Sequence, residues 1–205
     1  MLAALPDPAV LAAFVAASLA LNFTPGADMM FSVASGAAGG PRAAVAASLG
    51  INLGVVVHIA LAALGLAALI AAEPLAYDAI RYAGAAYLIF LAVQMWRAPP
   101  PDLAKPAPSP FWPTVRRGFM TNILNPKTAL FIFAFIPQFA DPAKGSVAAQ
   151  IALLGAVFIA TGFTVNACVG SLAGAFATRI RRASRAMNRL SAIVFGGLAA
   201  RLVID

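Results

Sequence analysis

The chain has one cysteine, Cys168, and one histidine, His58, among its 205 residues. A lone thiol closes no internal disulfide, forms no dithiol redox pair and builds no cysteine-rich metal site. A lone imidazole likewise excludes a multi-histidine metal or haem site, and no metal or cofactor is expected. Charge is the other shortage. Charged residues make up 10% of the chain and seven residues are acidic, far below the quarter or so of an ordinary soluble domain. This excludes a water-soluble globular protein.

Apolar residues fill the space instead, at 62% of the chain. Crossing roughly 30 Å of hydrocarbon takes about 20 residues at a helical rise of about 1.5 Å each. Six stretches qualify: 9–37, 43–71, 75–96, 115–140, 147–177 and 186–204, the last interrupted by Gly196 and Gly197. The expected fold is an all-α integral membrane protein of six transmembrane helices. Its longest connection, P-P-P-D-L-A-K-P-A-P-S-P over 99–110, has the composition of an extended, solvated linker.

The net charge of +7 does not point to nucleic acid, because the basic residues flank the spans. Arg42 follows the first; Arg97, Lys105, Arg116 and Arg117 lie between the third and fourth; Arg179, Arg181, Arg182, Arg185 and Arg189 lie between the fifth and sixth. The positive-inside rule places these loops in the cytoplasm. The opposite connections pair Arg81 with Glu73 and Asp78, and Lys144 with Asp141, so both termini are expected outside the cytoplasm. The start, M-L-A-A-L-P-D-P-A-V, lacks the positive charge of a cleaved signal peptide, and residues 1–23 are read as mature protein.

Two of the spans are interrupted. N-F-T-P-G-A-D occupies 22–28 and N-I-L-N-P-K-T occupies 122–128. In each, a polar residue suited to a helix N-cap, Thr24 or Asn125, precedes a proline, Pro25 or Pro126, suited to the first helical position. Each reads as the start of a half-helix within a span. Division at the linker gives a first repeat over 1–98, a linker over 99–113 and a second repeat over 114–205. Each repeat has three spans with its break in the first, so the two are inverted, as in many secondary transporters.

Asp28 and Lys127 are charged and follow their prolines within one turn. A charge near the bilayer centre costs about 2.5–3.5 kcal/mol on insertion scales, so each should face the interior or water and have a partner. Asp28 could hold a substrate ammonium, a coupling proton or Lys127 itself; the plainer reading is an ion pair locking the two breaks. His58 in the second span is a further candidate for carrying protons, or a hydrogen-bonded packing residue. Asn52, Gln138, Thr161, Thr164 and Asn166 could line a path or tie helices together. G-I-N-L-G (50–54) and G-S-L-A-G (170–174) would permit close helix packing, within a protomer or as a homodimer.

The order T-P-G-A-D-M-M-F, G-I-N-L-G-V-V-V-H-I-A, G-A-A-Y-L-I-F-L and R-R-G-F-M-T-N-I-L-N-P-K-T-A-L-F resembles the LysE/RhtB family of bacterial amino-acid exporters over about 22–140. The resemblance implies export of an amino acid across the bacterial inner membrane, driven by the proton gradient. Its pattern carries Pro25, Gly26 and Asp28 at the first break and Asn122, Asn125, Pro126 and Lys127 at the second; with Thr24 these are the expected substrate-binding residues. Asp28 and His58 are the expected proton-coupling residues. One position departs: Ala27 stands where the family has a second proline, which would loosen the first break.

The expected mechanism seats the substrate carboxylate at the two half-helix starts beside Lys127, with Asp28 receiving the ammonium or exchanging a proton. Export of another small solute or a cation would suit the same architecture, although one carboxylate and one histidine make a poor cation cage. An intramembrane hydrolase using Ser171 and His58 would lack an orienting third group. A thiol carrier would need a second cysteine. A mere scaffold would have no use for two charged breaks.

Overall fold

A computed structural model describes residues 7–66, 74–97 and 108–204. The linker expected at 99–113 falls mostly outside these residues, as do the chain start, the end of the expected second span, Glu73 and Lys105. The side chains of Asp78, Arg81, Arg179, Arg181 and Arg182 lie outside the description too. The described elements are helical, with no strand among them: α1 (Pro8–Phe23), α2 (Ala27–Leu61), α3 (Pro74–Arg97), α4 (Phe111–Ile123), α5 (Pro126–Leu130) and α6 (Val147–Ile204).

Both breaks fall where the sequence places them, by one local rule. A residue before proline is pushed out of the α region by the ring. Thr24 is extended at φ −71°, ψ 119° ahead of Pro25, and Asn125 at φ −84°, ψ 103° ahead of Pro126. The second break bends the chain by 56° between Phe111–Ile123 and Pro126–Phe139. Beyond α5 the regular α pattern gives way to a wider π turn over Phe131–Phe135 and a tighter 3-10 turn over Ile136–Phe139, where Pro137 lacks the N–H that a continuous helix would need.

The caps differ between the breaks. Asn125 caps α5 as expected, its side chain accepting the Lys127 N–H. Thr24 does not cap α2. Gly26 holds the N-cap position without a side-chain bond, and the Thr24 hydroxyl turns back to donate to the Ala20 carbonyl at 2.6 Å. A threonine hydroxyl has both choices open to it, and here it closes the preceding helix.

The α2 segment is a hairpin. Its Gly40 has φ 72°, ψ −167°, a left-handed conformation that glycine adopts readily, and Pro41 follows. Sixteen residues of straight helix would separate Ser32 from Ser48 by about 24 Å, yet their hydroxyls lie 3.2 Å apart. The α6 segment, 58 residues long, also doubles back. Asn22 bonds Thr161 at 3.2 Å and Ser191 bonds the Ala20 carbonyl at 2.9 Å, which places Thr161 and Ser191 beside the same turn of α1.

Aromatic rings join these arms. Phe131 stacks on Phe158 with centroids 5.2 Å apart, and Phe14 meets Phe139 edge-on at 5.3 Å. Glycines bring the helices to backbone contact: a methyl on Gly50 would overlap the Val115 carbonyl of α4, and one on Gly36 would overlap the Gly170 carbonyl of α6. The outer surface is apolar, with Leu53, Val56, Leu61, Leu64, Ile89 and Ile193 exposed. Exposed Trp96 and Trp112 lie close in sequence to Arg97, Arg116 and Arg117, the pairing of aromatic and basic residues typical of a membrane interface.

Candidate functional site

The two breaks converge on one carboxylate. Asp28 is the second residue of α2, and its Oδ2 accepts from Asn122 Nδ2 at 2.8 Å and from Thr128 Oγ1 at 3.0 Å. Asn122 belongs to the last turn of α4 and Thr128 to α5, so one oxygen from the first break bridges the second. Asp28 is 8% exposed and Asn122 fully buried. Asn125 supports the arrangement, donating its amide N–H to Thr128 Oγ1 at 3.3 Å.

Lys127 reaches the other way. Its Nζ donates to the Thr24 carbonyl at 3.1 Å and the Leu21 carbonyl at 3.5 Å. These close the C-terminal end of α1, where the helix dipole favours a cation. Gly26 makes room, since a Cβ there would stand 2.8 Å from Lys127 Nζ. The Gly26 backbone is extended, at φ −160°, so the requirement at this position is space alone.

The ion pair considered between Asp28 and Lys127 is not formed. Among the described residues the pair within 4 Å is Lys144 with Asp7, at 2.7 Å. Asp28 and Lys127 are satisfied instead by different groups, one at each break.

Two cavities meet the breaks. The inner one, about 20 Å³, is lined by Asp28, Asn52, Val55, Asn166, Thr24 and Lys127 among others, and is large enough for about one water molecule. The outer one is a vestibule of about 970 Å³ walled by Pro25, Gly26, Ala27, Tyr87, Phe90, Gln94, Arg97, Asn125, Pro126, Lys127, Leu130 and Asn188 among others. Thr24, Pro25, Gly26, Asp28, Asn125, Pro126 and Lys127 thus all lie on a cavity wall, while Asn122 stands behind Asp28 and orients it. His58 borders neither cavity. Its Nε2 lies 3.4 Å from the Asn122 carbonyl oxygen and its ring packs edge-on to Phe133.

Ala27 is the first residue of α2, a position that suits proline equally, so the helix start survives the departure. Two residues of the site escaped the sequence reading. Thr128 was visible as the end of N-P-K-T, but its partner Asp28 lies 100 residues away. Tyr87 ties α3 to the second break, its hydroxyl donating to the Pro126 and Lys127 carbonyls at 3.3 and 3.4 Å, with nothing local to announce it.

A sequence model of the LysE type translocator matches residues 19–205. The chain belongs to that family. It is a membrane-embedded translocator and not an enzyme. Among relatives of this LysE-type chain, the homoserine/homoserine lactone efflux protein of Salmonella typhimurium is 32% identical over 190 residues, covering 91% of this chain and 90% of the relative. An uncharacterized membrane protein of Vibrio cholerae is 30% identical with the same coverage. A leucine efflux protein of Salmonella choleraesuis is 26% identical over 196 residues, 92% of each chain. No solved structure matches.

Proposed function

We propose that this protein exports an amino acid from the cytoplasm across the bacterial inner membrane in exchange for protons, binding it at the two helix breaks near the membrane midplane. The observation that carries this reading is the convergence of both breaks on Asp28, with Lys127 reaching back across the first. A buried carboxylate and a separately held cation offer partners to the ammonium and the carboxylate of a zwitterion. The homoserine and leucine efflux relatives support the substrate class.

The chain is read as six spans in two inverted repeats, 1–98 and 114–205, with 99–113 as the linker. The hairpin of α2 and the doubled-back α6 supply the arms that this topology needs. Basic residues place Arg42, Arg97, Arg116, Arg117 and Arg189 at the cytoplasmic face and both termini at the other. The vestibule, with Arg97 on its wall, then opens to the cytoplasm. Asp28 is the proton carrier in this reading, favoured over His58, which borders neither cavity. Homodimerisation through the small-residue motifs has less support, because Gly50, Gly54 and Gly170 already pack within the protomer.

Efflux from overproducing cells, screened across single amino acids, their toxic analogues and homoserine lactone, tests the reading. Faster efflux of at least one amino acid, lost in Asp28→Asn and Lys127→Met proteins that still reach the membrane, is expected. Efflux unchanged in both variants would remove the assigned roles.

A further inference from the structure

Lys127 is the residue common to the walls of the two cavities. On one side lies a vestibule of about 970 Å³; on the other, a polar space of about 20 Å³. Two residues of the inner wall carry unused acceptors. Asp28 and Asn166 both line it, both are more than nine-tenths buried, and Asp28 Oδ1 and Asn166 Oδ1 have no hydrogen-bond partner. Two buried oxygens without donors, one of them a carboxylate's, are costly unless a donor or cation enters at some stage.

We propose that the inner cavity is the collapsed subsite for the substrate's ammonium group, with Asn166 as a further ligand beside Asp28, and that the Lys127 side chain is the plug that closes it. This rests on the transport reading above and adds to it a residue and a sequence of events. An amino acid entering the vestibule presents its carboxylate to Lys127 Nζ. That attraction competes with the Thr24 and Leu21 carbonyls, which hold Nζ as neutral acceptors, and an ionised acceptor makes the stronger bond. As Nζ swings away, the inner cavity joins the vestibule, and the ammonium of the same substrate reaches Asp28 Oδ1 and Asn166 Oδ1. A solute with only one of the two charges lacks either the means to draw the plug or the group to fill the site.

Thiol labelling tests this directly. The exposed Cys168 is replaced by alanine, and Val55→Cys, of similar volume, puts a thiol on the inner wall; Gln94→Cys in the vestibule is the accessible control. The probe is 2-aminoethyl methanethiosulfonate, which carries an ammonium. With Lys127 in place, Val55→Cys should label slowly and Gln94→Cys fast. Lys127→Ala should raise the Val55→Cys rate by about tenfold or more, the scale of one lost hydrogen bond to a charged group. Gly26→Ala should do the same while keeping every polar group, because its methyl takes the space beside Nζ; it carries the test alone if Lys127→Ala does not fold. An unchanged rate in a folded Gly26→Ala protein overturns the plug, whatever the efflux screen gives. In the Gly26→Ala protein, which keeps Lys127 to receive the carboxylate, the exported amino acid should slow labelling and its N-acetyl derivative should not, and Asn166→Leu should abolish that protection. Protection equal for both compounds, or persisting in Asn166→Leu, overturns the ammonium subsite while leaving export itself standing.

Discussion

Asn122 and Asp28 are 94 residues apart in the chain and 2.8 Å apart at their side chains. Asn122 lies in the last turn of α4 at one break, and Asp28 in the first turn of α2 at the other. This bond and the Thr128 bond are the described hydrogen bonds of the carboxylate. The geometry of the first break is therefore referred to the second, and movement of either break changes what Asp28 sees.

Asn122→Ala and Asp28→Asn should separate structure from charge. Asn122→Ala removes one donor to a buried carboxylate, a loss of about 1.5–3 kcal/mol for a bond to a charged group, and should lower both thermal stability in detergent and efflux. Asp28→Asn keeps an oxygen that can accept from Asn122 while removing the charge. It should fold with nearly unchanged stability and show no proton-driven efflux. A large fall in stability for Asp28→Asn would mean that the charge serves the fold.

His58 should be dispensable for transport. Its bond to the Asn122 carbonyl is long at 3.4 Å, and it borders neither cavity. His58→Gln can keep the carbonyl contact and should retain most efflux, with its pH profile unchanged. A fall of about a hundredfold or more, the scale of a lost proton-transfer group, together with a flattened pH profile would reinstate His58 as a proton carrier.

What was legible in the chain was what proline and charge dictate locally. Pro25 and Pro126 stop helices because of their own rings, and Asn125 caps because its amide has one favourable direction. Thr24 could not be read, since a threonine can bond forward to α2 or back to Ala20 and tertiary surroundings decide. The ion pair weighed as the plainer alternative for Asp28 and Lys127 is not formed, for a related reason. Each finds neutral partners first: a carboxamide and a hydroxyl for one, helix-end carbonyls for the other. Pairings such as Asn122 with Asp28 join separate helices and leave no spacing for a single sequence to reveal.

Lys144 and Asp7 should give a small, pH-bounded tie between the start of α1 and the turn before α6. The hydrogen bond to Asp7 is the main reason the Lys144 amine titrates above its ordinary value. A raised folded-state value means that the contribution is complete below the unfolded lysine value, about 10.4, and disappears as pH rises past the folded one. The stability difference between the wild type and Lys144→Met should therefore be constant from neutral pH to about 10 and vanish above that range. Molar salt should shrink it, as for exposed pairs generally. A difference that grows with alkaline pH would contradict the assignment.

The glycines divide into two groups that one substitution distinguishes. At Gly50 and Gly36 an added methyl meets backbone carbonyls of α4 and α6, which cannot rotate away as a side-chain tip can. At Gly196 and Gly197 nothing lies within 4 Å of the added atom. Overpacking a close contact costs typically about 1–3 kcal/mol, whereas glycine to alanine in an open helical position gains roughly 0.5–1 kcal/mol. Gly50→Ala and Gly36→Ala should thus lower the melting temperature in detergent, and Gly196→Ala and Gly197→Ala should leave it unchanged or raise it. Gly54 is the informative intermediate, because its methyl would press on the Asn122 side chain, 2.6 Å from Oδ1. Gly54→Ala should cost efflux more than stability, since the atom it displaces belongs to the amide that positions Asp28. Equal losses at Gly54 and Gly50 would show that both act by packing alone.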